Sequence, residues 1–296
     1  ITLSHVAYHE TITNAPEKVK PNKHVNLLYA PRERCYKHPI NKGNANSKYY
    51  QWLKAQYKAM PKRAQVFEYY HDPVLFRQLP MPLHPVIGPD IKAYKKVGID
   101  RIGSLTFQKY AEYAYGPNFY VLANCLWRGK GNPNDIIEYC DALYGPSGTD
   151  MLAYFDALYQ LCATAMMTDG YDGFADLRFP PYQPYTKKHA QLLQPLVTEK
   201  HLTSIEDKIF KALAGSKKPY RSRIKTQLKF WNIAKLEVPA IYHTLVSAYK
   251  TPQILAGKAT EKDPLNLITH TQLAINNIDQ AGKITRNPPL ETPTNK

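Results

Sequence analysis

The amino-acid sequence predicts an α/β fold: the C-terminal half of a (β/α)8 TIM-type barrel followed by a mainly helical region. Three observations predict it. Apolar strands alternate with helical segments over residues 1–115, polar side chains follow each strand, and apolar residues at helical spacing dominate residues 116–282. Strands that alternate with helices form parallel sheets, whose carboxyl ends meet at one edge. The tail, residues 283–296, is rich in Pro, Thr and Asn, and we expect it to be disordered.

The barrel part contains four predicted strands, Leu3–His9, Val25–Ala30, Gln65–Tyr70 and Ile99–Leu105. Apolar residues every three or four positions predict a helix over Ser47–Met60, and a shorter helix is predicted from near Pro89 to Gly98. Four strands make half a barrel with two open edges, and the chain begins inside a strand without an initiator Met. We therefore expect the other half from an upstream part of the same gene or from a separate chain.

The second part of the chain is predicted to be helical. Pro239 is expected to interrupt one helix, because proline lacks the N–H that an interior helical position donates. A loop rich in proline and aromatic residues is expected over residues 169–185. The predicted helices are Asn118–Arg128, Asn132–Gly145, Thr149–Met167, Ser204–Gly215, Ile224–Tyr249 and Pro264–Gln280.

Composition narrows the class of protein. The chain has 296 residues, a formal net charge of +15 and a hydrophobic share of 44%. That share supports a packed core, and no apolar run approaches the roughly 20 residues of a membrane span. No nucleic-acid-binding motif accompanies the densest basic run, so a solvated basic face is favoured over nucleic-acid binding. This run consists of Lys217, Lys218, Arg221, Arg223, Lys225 and Lys229.

Four cysteines, Cys35, Cys125, Cys140 and Cys162, form no CxxC pair. Cys125, Cys140 and Cys162 lie among apolar residues of predicted helices, which favours buried free thiols, although the sequence leaves a disulfide open. The chain also lacks spacings typical of a metal site, such as HExxH. We therefore expect neither a metal nor another cofactor.

An ordered set of segments resembles the family catalogued as domain of unknown function 4838, over roughly residues 1 to 165. No single segment is diagnostic, but their order is specific. The matching segments are Ala7–Ile12, Val19–Asn22, Leu28–Tyr36, Phe67–Tyr70, Ile91–Asp100, Asn118–Val121 with Leu126–Trp127, and Tyr139–Pro146.

The resemblance implies an activity and a location. Members occur mainly in glycan-degrading gut and soil bacteria, and part of the family is assigned to glycoside hydrolase family 163. These enzymes are endo-acting on N-glycan-type β-N-acetylglucosaminides, and the resemblance implies substrate-assisted retention. It also implies a periplasmic, cell-surface or extracellular protein, with a smaller domain and the first barrel strands ahead of Ile1.

Hydrolysis of a glycosidic bond requires a proton donor together with a nucleophile, a base or a group that assists the substrate. Glu10 and Glu68 are the candidate catalytic carboxylates, because both fall at predicted strand ends. Glu33, flanked by two arginines, is the third candidate. The alternative is that these glutamates only pair with arginine or accept hydrogen bonds from sugar hydroxyls. Candidate substrate-binding residues are Tyr8, His9, Arg32, Arg34, Tyr69, Tyr70 and His71.

The 23 tyrosines offer flat rings for the apolar face of a sugar and phenols for its hydroxyls. Trp52 and Trp127 lie on helical stripes and are expected in the core. The tyrosines at or after predicted strand ends are Tyr8, Tyr29, Tyr36, Tyr69, Tyr70, Tyr110 and Tyr113.

Three functions follow from these features. The leading expectation is a glycoside hydrolase, or its C-terminal fragment, that cleaves complex glycans by carboxylate acid/base catalysis. The first alternative is a non-catalytic glycan-binding module that uses the same aromatic residues. The second is a binder of anionic polymers, driven by net charge and sensitive to salt.

Overall fold

The computed structural model describes residues 2–13, 15–72, 80–106, 115–165, 194–257 and 263–286. Within these ranges one sheet has four parallel strands in the order β1–β2–β3–β4. The strands are Leu3–Ala7 (β1), Val25–Tyr29 (β2), Ala64–His71 (β3) and Ile102–Thr106 (β4). The α/β class, the parallel sheet and the approximate position of each predicted strand are therefore confirmed.

Helices Asn44–Ala59 (α1) and His84–Val97 (α2) cover one face of the sheet. Side chains alternate across a strand, so one set of strand residues faces these helices and the next set faces away. The second face is less covered: Val6 is 46% exposed, and Leu28 and Phe67 are half-buried. The apolar cluster on the helix-covered face includes Ala7, Leu27, Tyr29, Leu53, Ala64, Val66, Ala93 and Tyr94.

The remainder of the described chain is helical, as predicted. A second apolar cluster joins these helices to the end of β3 through Tyr70, Tyr115, Tyr139, Phe155 and Trp231. The helices are Gly116–Arg128 (α3), Asp135–Tyr144 (α4), Gly148–Ala165 (α5), Glu199–Ala214 (α6), Tyr220–Leu255 (α7) and Asp263–Arg286 (α8), and short 3-10 helices lie at His9–Ile12, Gly145–Ser147 and Gln194–Val197.

Two predicted helix starts were wrong. Helix α2 begins at His84, so the proline in its first turn is Pro85, and Pro89 lies inside the helix. Helix α6 begins at Glu199 and not at Ser204, because Leu202 extends the apolar stripe one turn further back.

Two predicted interruptions also differ from the structure. Helix α7 continues through Pro239, whose neighbours Val238 and Ala240 are buried, so tertiary packing holds a helix that lacks one backbone donor. Helix α8 extends to Arg286, so the first four residues of the expected tail are helical. Residues 287–296 and the predicted loop over 169–185 lie outside the described residues.

The two predicted core tryptophans have different environments. Trp52 packs against the helix-covered sheet cluster, as expected. Trp127 is 92% exposed, so its assignment to the core was wrong. Helix α3 buries Val121, Leu122 and Cys125, and a residue two positions after Cys125 points to the opposite side of the helix.

Two arginines of the basic run have a structural role. Arg223 donates to the carbonyls of Ala142 and Leu143 at the end of α4, and Arg221 donates to that of Leu213 near the end of α6. These contacts satisfy carbonyls that have no partner within their helices. Across the ranges that the structure describes, no helix has the length and apolar character of a membrane span.

The close approach of Gly131 to α2 gives a stability prediction. A Cβ at Gly131 would lie 2.7 Å from the Cα of Gly88, so Gly131→Ala requires the backbone to shift. We expect a loss of about 1–3 kcal/mol in the free energy of unfolding, measured by urea denaturation. Gly215→Ala is the control, because nothing lies within 4 Å of its added Cβ, and it should change stability by less than about 0.5 kcal/mol. Equal effects of the two substitutions would contradict this account.

Candidate functional site

The predicted site residues lie on both faces of the sheet. Glu68 and Tyr69 are consecutive in β3, and consecutive strand residues point to opposite faces. Glu68 follows the alternation of Ala64 and Val66 and lies beneath the helices, whereas Tyr69 contacts Phe67 on the other face, at 5.4 Å between ring centroids. The site therefore has two parts. One is a buried charge network beneath the helices, and the other is the more open edge of the sheet where the strands end, which we call the carboxyl edge.

Arg34 is the centre of the buried charge network. Its Nε lies 3.1 Å from Oε1 of Glu68, and its Nη2 donates to Oδ2 of Asp90. All three side chains have no exposed surface. One guanidinium thus joins β3, α2 and the segment that follows β2, and a pairing of this kind replaces the water that each charge has lost.

Tyrosine hydroxyls and backbone N–H groups complete the network. Tyr36 donates to Oε2 of Glu68 at 3.0 Å, Tyr94 donates to Oε1, and Tyr70 donates to Oδ2 of Asp90 at 2.9 Å. The other oxygen of Asp90 accepts from the backbone N–H of Ile40 at 2.6 Å. Both oxygens of each carboxylate therefore have protein donors.

This arrangement decides what Glu68 can do in the structure. A carboxylate with no exposed surface and protein donors on both oxygens does not contact a substrate in this conformation. The same holds for Arg34 and Tyr70, which have 1% and 0% exposure. These three residues support the carboxyl edge through the buried network and do not line it.

Burial controls the protonation of the network. Burial raises the pKa of Asp90, Arg34 lowers it and the nearby Glu68 raises it, and together these effects bring it to about 6. Burial, followed by the charges of Asp90 and Glu68, also raises the pKa of Tyr70 well above its ordinary value. Burial and then Glu68 raise those of Tyr36 and Tyr94. The tyrosines therefore remain hydroxyl donors.

The open carboxyl edge carries an aromatic pair and a second buried ion pair. The rings of Tyr8 and Tyr69 are stacked with centroids 6.4 Å apart, and the guanidinium of Arg32 lies 5.6 Å from the Tyr69 centroid. Nε of Arg32 also donates to Oδ2 of Asp72 at 2.8 Å. This pair fixes the end of β3 to the segment after β2.

Two accessible glutamates lie at this edge. Glu10 is exposed in the 3-10 helix that follows β1, and Glu33 follows Arg32 with 18% of its side chain exposed. Nδ1 of His9 lies 3.6 Å from Oε1 of Glu33. Burial, then Tyr8 and then Glu33 raise the pKa of Tyr69.

His71 lies at the end of β3 and is buried against the ring of Phe119, with centroids 3.8 Å apart. Burial lowers its pKa to about 3, so the ring is neutral near pH 7. Its Nδ1 lies 2.9 Å from Oγ of Ser104, which also accepts from the backbone N–H of Tyr70. Its Nε2 has no hydrogen-bond partner among the residues that the structure describes.

The structure thus brings Tyr8, His9, Arg32 and Tyr69 together at the carboxyl edge, with Glu10 next to His9 along the chain, and separates Glu68 from them. Arg32 and Tyr69 are each only 6% exposed, so Tyr8, His9 and Glu10 are the members of this group that solvent reaches. Sequence reasoning missed Asp72, Asp90 and Ser104. Asp90 had a signal: it interrupts the apolar stripe of α2 between Ile87 and Ile91, and a carboxylate in such a stripe needs a buried partner. Tyr110 and Tyr113 lie outside the described residues.

All four cysteines are free and buried, which confirms the prediction for Cys125, Cys140 and Cys162 and adds Cys35. Burial is also the main cause of the raised pKa of Cys125, to about 11. Among the described residues, no group of three or more His, Cys, Asp or Glu side chains could hold a metal ion.

The fold and the site define an α/β protein with a buried charge network beneath the carboxyl edge of a parallel sheet. The chain belongs to the family described as Domain of unknown function (DUF4838), whose model matches residues 1–156 of 296. The match confirms the resemblance inferred from the sequence, and it spans the sheet and the helices from α1 into α5. No curated protein and no solved structure matches the chain.

Removal of the central guanidinium should destabilise the protein strongly. Arg34→Met leaves Glu68 and Asp90 buried without a cationic partner, and we expect a loss of about 3–5 kcal/mol in the free energy of unfolding. Arg101→Met is the control, because Arg101 is 52% exposed beside Asp100, and it should cost less than about 0.5 kcal/mol. Urea denaturation at neutral pH measures both. A small effect of Arg34→Met would show that the network does not hold the fold together.

The raised pKa of Asp90 gives a pH-dependent contribution to stability. Between about pH 4 and about pH 6 the folded protein keeps a proton that the unfolded chain has released, so this contribution is largest in acid and is lost as the pH rises through 6. Asp90→Asn should remove it. The difference in unfolding free energy between wild type and variant should therefore change by on the order of 3 kcal/mol over this window, in favour of the wild type at low pH.

The same measurement on Asp100→Asn provides a control, since the Asp100 side chain is 85% exposed. Parallel pH profiles for wild type and Asp90→Asn would contradict the assignment.

Proposed function

We propose that this protein is a glycoside hydrolase, or part of one, that cleaves complex glycans at the carboxyl edge of the sheet. One observation carries the proposal: this edge combines the partly exposed ring of Tyr8, stacked on the buried ring of Tyr69, with the accessible carboxylates of Glu10 and Glu33. Aromatic rings suit the apolar face of a sugar, and hydrolysis uses a pair of carboxyl groups. The loops after parallel strands are also where barrel enzymes place their active sites.

The geometry changes which carboxylates carry the proposal. Glu10 keeps its proposed role, and Glu33 replaces Glu68 as its companion, because Glu33 is partly exposed and Glu68 is enclosed. Glu68 instead positions Tyr69, whose backbone N–H donates to Oε2 of Glu68 at 3.3 Å. Endo-acting cleavage of N-glycan-type β-N-acetylglucosaminides, and the periplasmic or extracellular location that goes with it, are proposed from the family resemblance.

We also propose that further parallel strands complete this sheet into a barrel. The partly exposed face of the sheet supports this, because Val6 in β1 is 46% exposed on that face, and Leu3 at the start of the same strand is 64% exposed on the other face. Apolar strand residues at an open edge gain stability when another strand covers them. The completing strands would come from the same gene or from a separate chain.

A non-catalytic glycan-binding module is the second candidate function. The enclosure of Glu68 favours it, since that carboxylate does not meet a substrate in this structure. A binder of anionic polymers has less support, because Arg221 and Arg223 of the basic run donate to helix-terminal carbonyls.

Removal of either accessible carboxylate separates the two candidate functions. In a hydrolase, Glu10→Gln and Glu33→Gln should each lower turnover of a labelled N-glycan glycopeptide by about 10²-fold or more. Glu199→Gln is the control, because this exposed residue lies at the start of α6, and it should leave turnover unchanged. A wild-type chain that binds the glycopeptide but never cleaves it would support the binding module.

A further inference from the structure

The backbone of His9 is held in an unfavourable conformation. Its φ is 47°, in the left-handed region that disfavours residues with a Cβ atom. Among the described non-glycine residues, only His9 and Lys62 have a positive φ. Strain of this kind persists where the surrounding contacts fix it, and it concentrates at functional sites.

The contacts that fix His9 come from Thr11. Oγ1 of Thr11 accepts from the backbone N–H of Tyr8 at 3.0 Å and lies at hydrogen-bonding distance from the carbonyls of Val6 and Tyr8. The backbone N–H of Thr11 also donates to the carbonyl of Tyr8 at 3.1 Å. The turn after β1 is therefore tied back onto the end of its own strand.

The strained turn places the His9 ring between the aromatic pair and a carboxylate. The centroids of the Tyr8 and His9 rings are 3.8 Å apart, and Nδ1 of His9 lies 3.6 Å from Oε1 of Glu33. His9 is 41% exposed and Glu33 is 18% exposed, so solvent and ligand reach both side chains. Arg32 immediately precedes Glu33 and is held by Asp72, so the position of this carboxylate is fixed from two sides.

We infer that Glu33 is the proton acceptor of the proposed hydrolase and that His9 is the residue that positions it. The inference rests on the proposed function. In the step it implies, which follows the substrate-assisted retention of the family resemblance, the substrate's acetamide oxygen forms a bond to the anomeric carbon as the glycosidic C–O bond breaks, and the acetamide N–H proton passes to Glu33. The leaving oxygen keeps the electron pair and takes a proton from the second carboxyl group, proposed as Glu10. Water then adds to the anomeric carbon and gives its proton to Glu10, while the bond to the acetamide oxygen breaks and the acetamide nitrogen recovers its proton from Glu33.

The second strained residue offers a matched control. Lys62 has a φ of 61° and lies in the turn between α1 and β3, at the amino end of the sheet. Because glycine adopts positive φ freely, His9→Gly and Lys62→Gly should both keep or raise the midpoint of thermal unfolding, by up to about 3 °C. The two variants should differ only in activity.

The experiment measures thermal unfolding and steady-state cleavage of a labelled N-glycan glycopeptide by the full chain. We expect His9→Gly to lower kcat by about tenfold or more with KM within about twofold of wild type, and Lys62→Gly to leave both unchanged. Glu33→Gln should lower kcat by about 10²-fold or more. The double variant His9→Gly/Glu33→Gln should be no slower than Glu33→Gln alone, because His9 acts through Glu33.

The outcomes separate this inference from the proposed function. An active wild type whose turnover survives Glu33→Gln or His9→Gly overturns the inference and leaves the hydrolase proposal in place. If the fold losses in kcat of the two single variants multiply in the double variant, His9 does not act through Glu33. That result also overturns the inference. A wild type that cleaves no glycopeptide overturns the hydrolase proposal and this inference together.

Discussion

The structure depends on one buried guanidinium. Arg34 bridges Glu68 of β3 and Asp90 of α2, and none of the three side chains has exposed surface. Two carboxylates and one guanidinium leave this network one negative charge in excess when both carboxylates are ionised. Three tyrosine hydroxyls and two backbone N–H groups stabilise that charge by donating hydrogen bonds. The sheet, α2 and the segment after β2 therefore form one rigid support for the carboxyl edge.

The network and the edge perform different tasks on opposite faces of one strand. Glu68 anchors β3 beneath the helices, while its neighbour Tyr69, which is 6% exposed, supports the partly exposed ring of Tyr8 on the other face of the sheet. Arg34 and Arg32 repeat this division, since Arg34 serves the buried network and Arg32 holds Asp72 at the edge. Alternation along the chain thus gives a rigid interior and an accessible surface that share their backbone.

Much of this fold followed from the sequence, and the errors have physical causes. Periodicity located the strands and most helices, and the family resemblance was confirmed over residues 1–156. Pro239 did not end α7, because buried neighbours outweigh the loss of one backbone donor. Trp127 was placed in the core by helical spacing alone, yet it is 92% exposed and lies on the side of α3 opposite its buried residues. The sequence predicted part of the carboxyl edge. Tyr8, His9, Glu10 and Tyr69 were identified because active-site residues follow the strands of a parallel sheet.

The sequence by itself determined the parallel α/β arrangement, the family and the set of polar residues near the strand ends, because these depend on local periodicity and order along the chain. Only the tertiary structure decided which glutamate is enclosed and which is accessible. Glu33 and Glu68 both lie near strand ends, but only Glu68 is enclosed in the network with Arg34 and Asp90, and Asp90 is distant in sequence. The strain at His9 was also visible only in the fold, because it arises from the contacts of Thr11 with the end of β1.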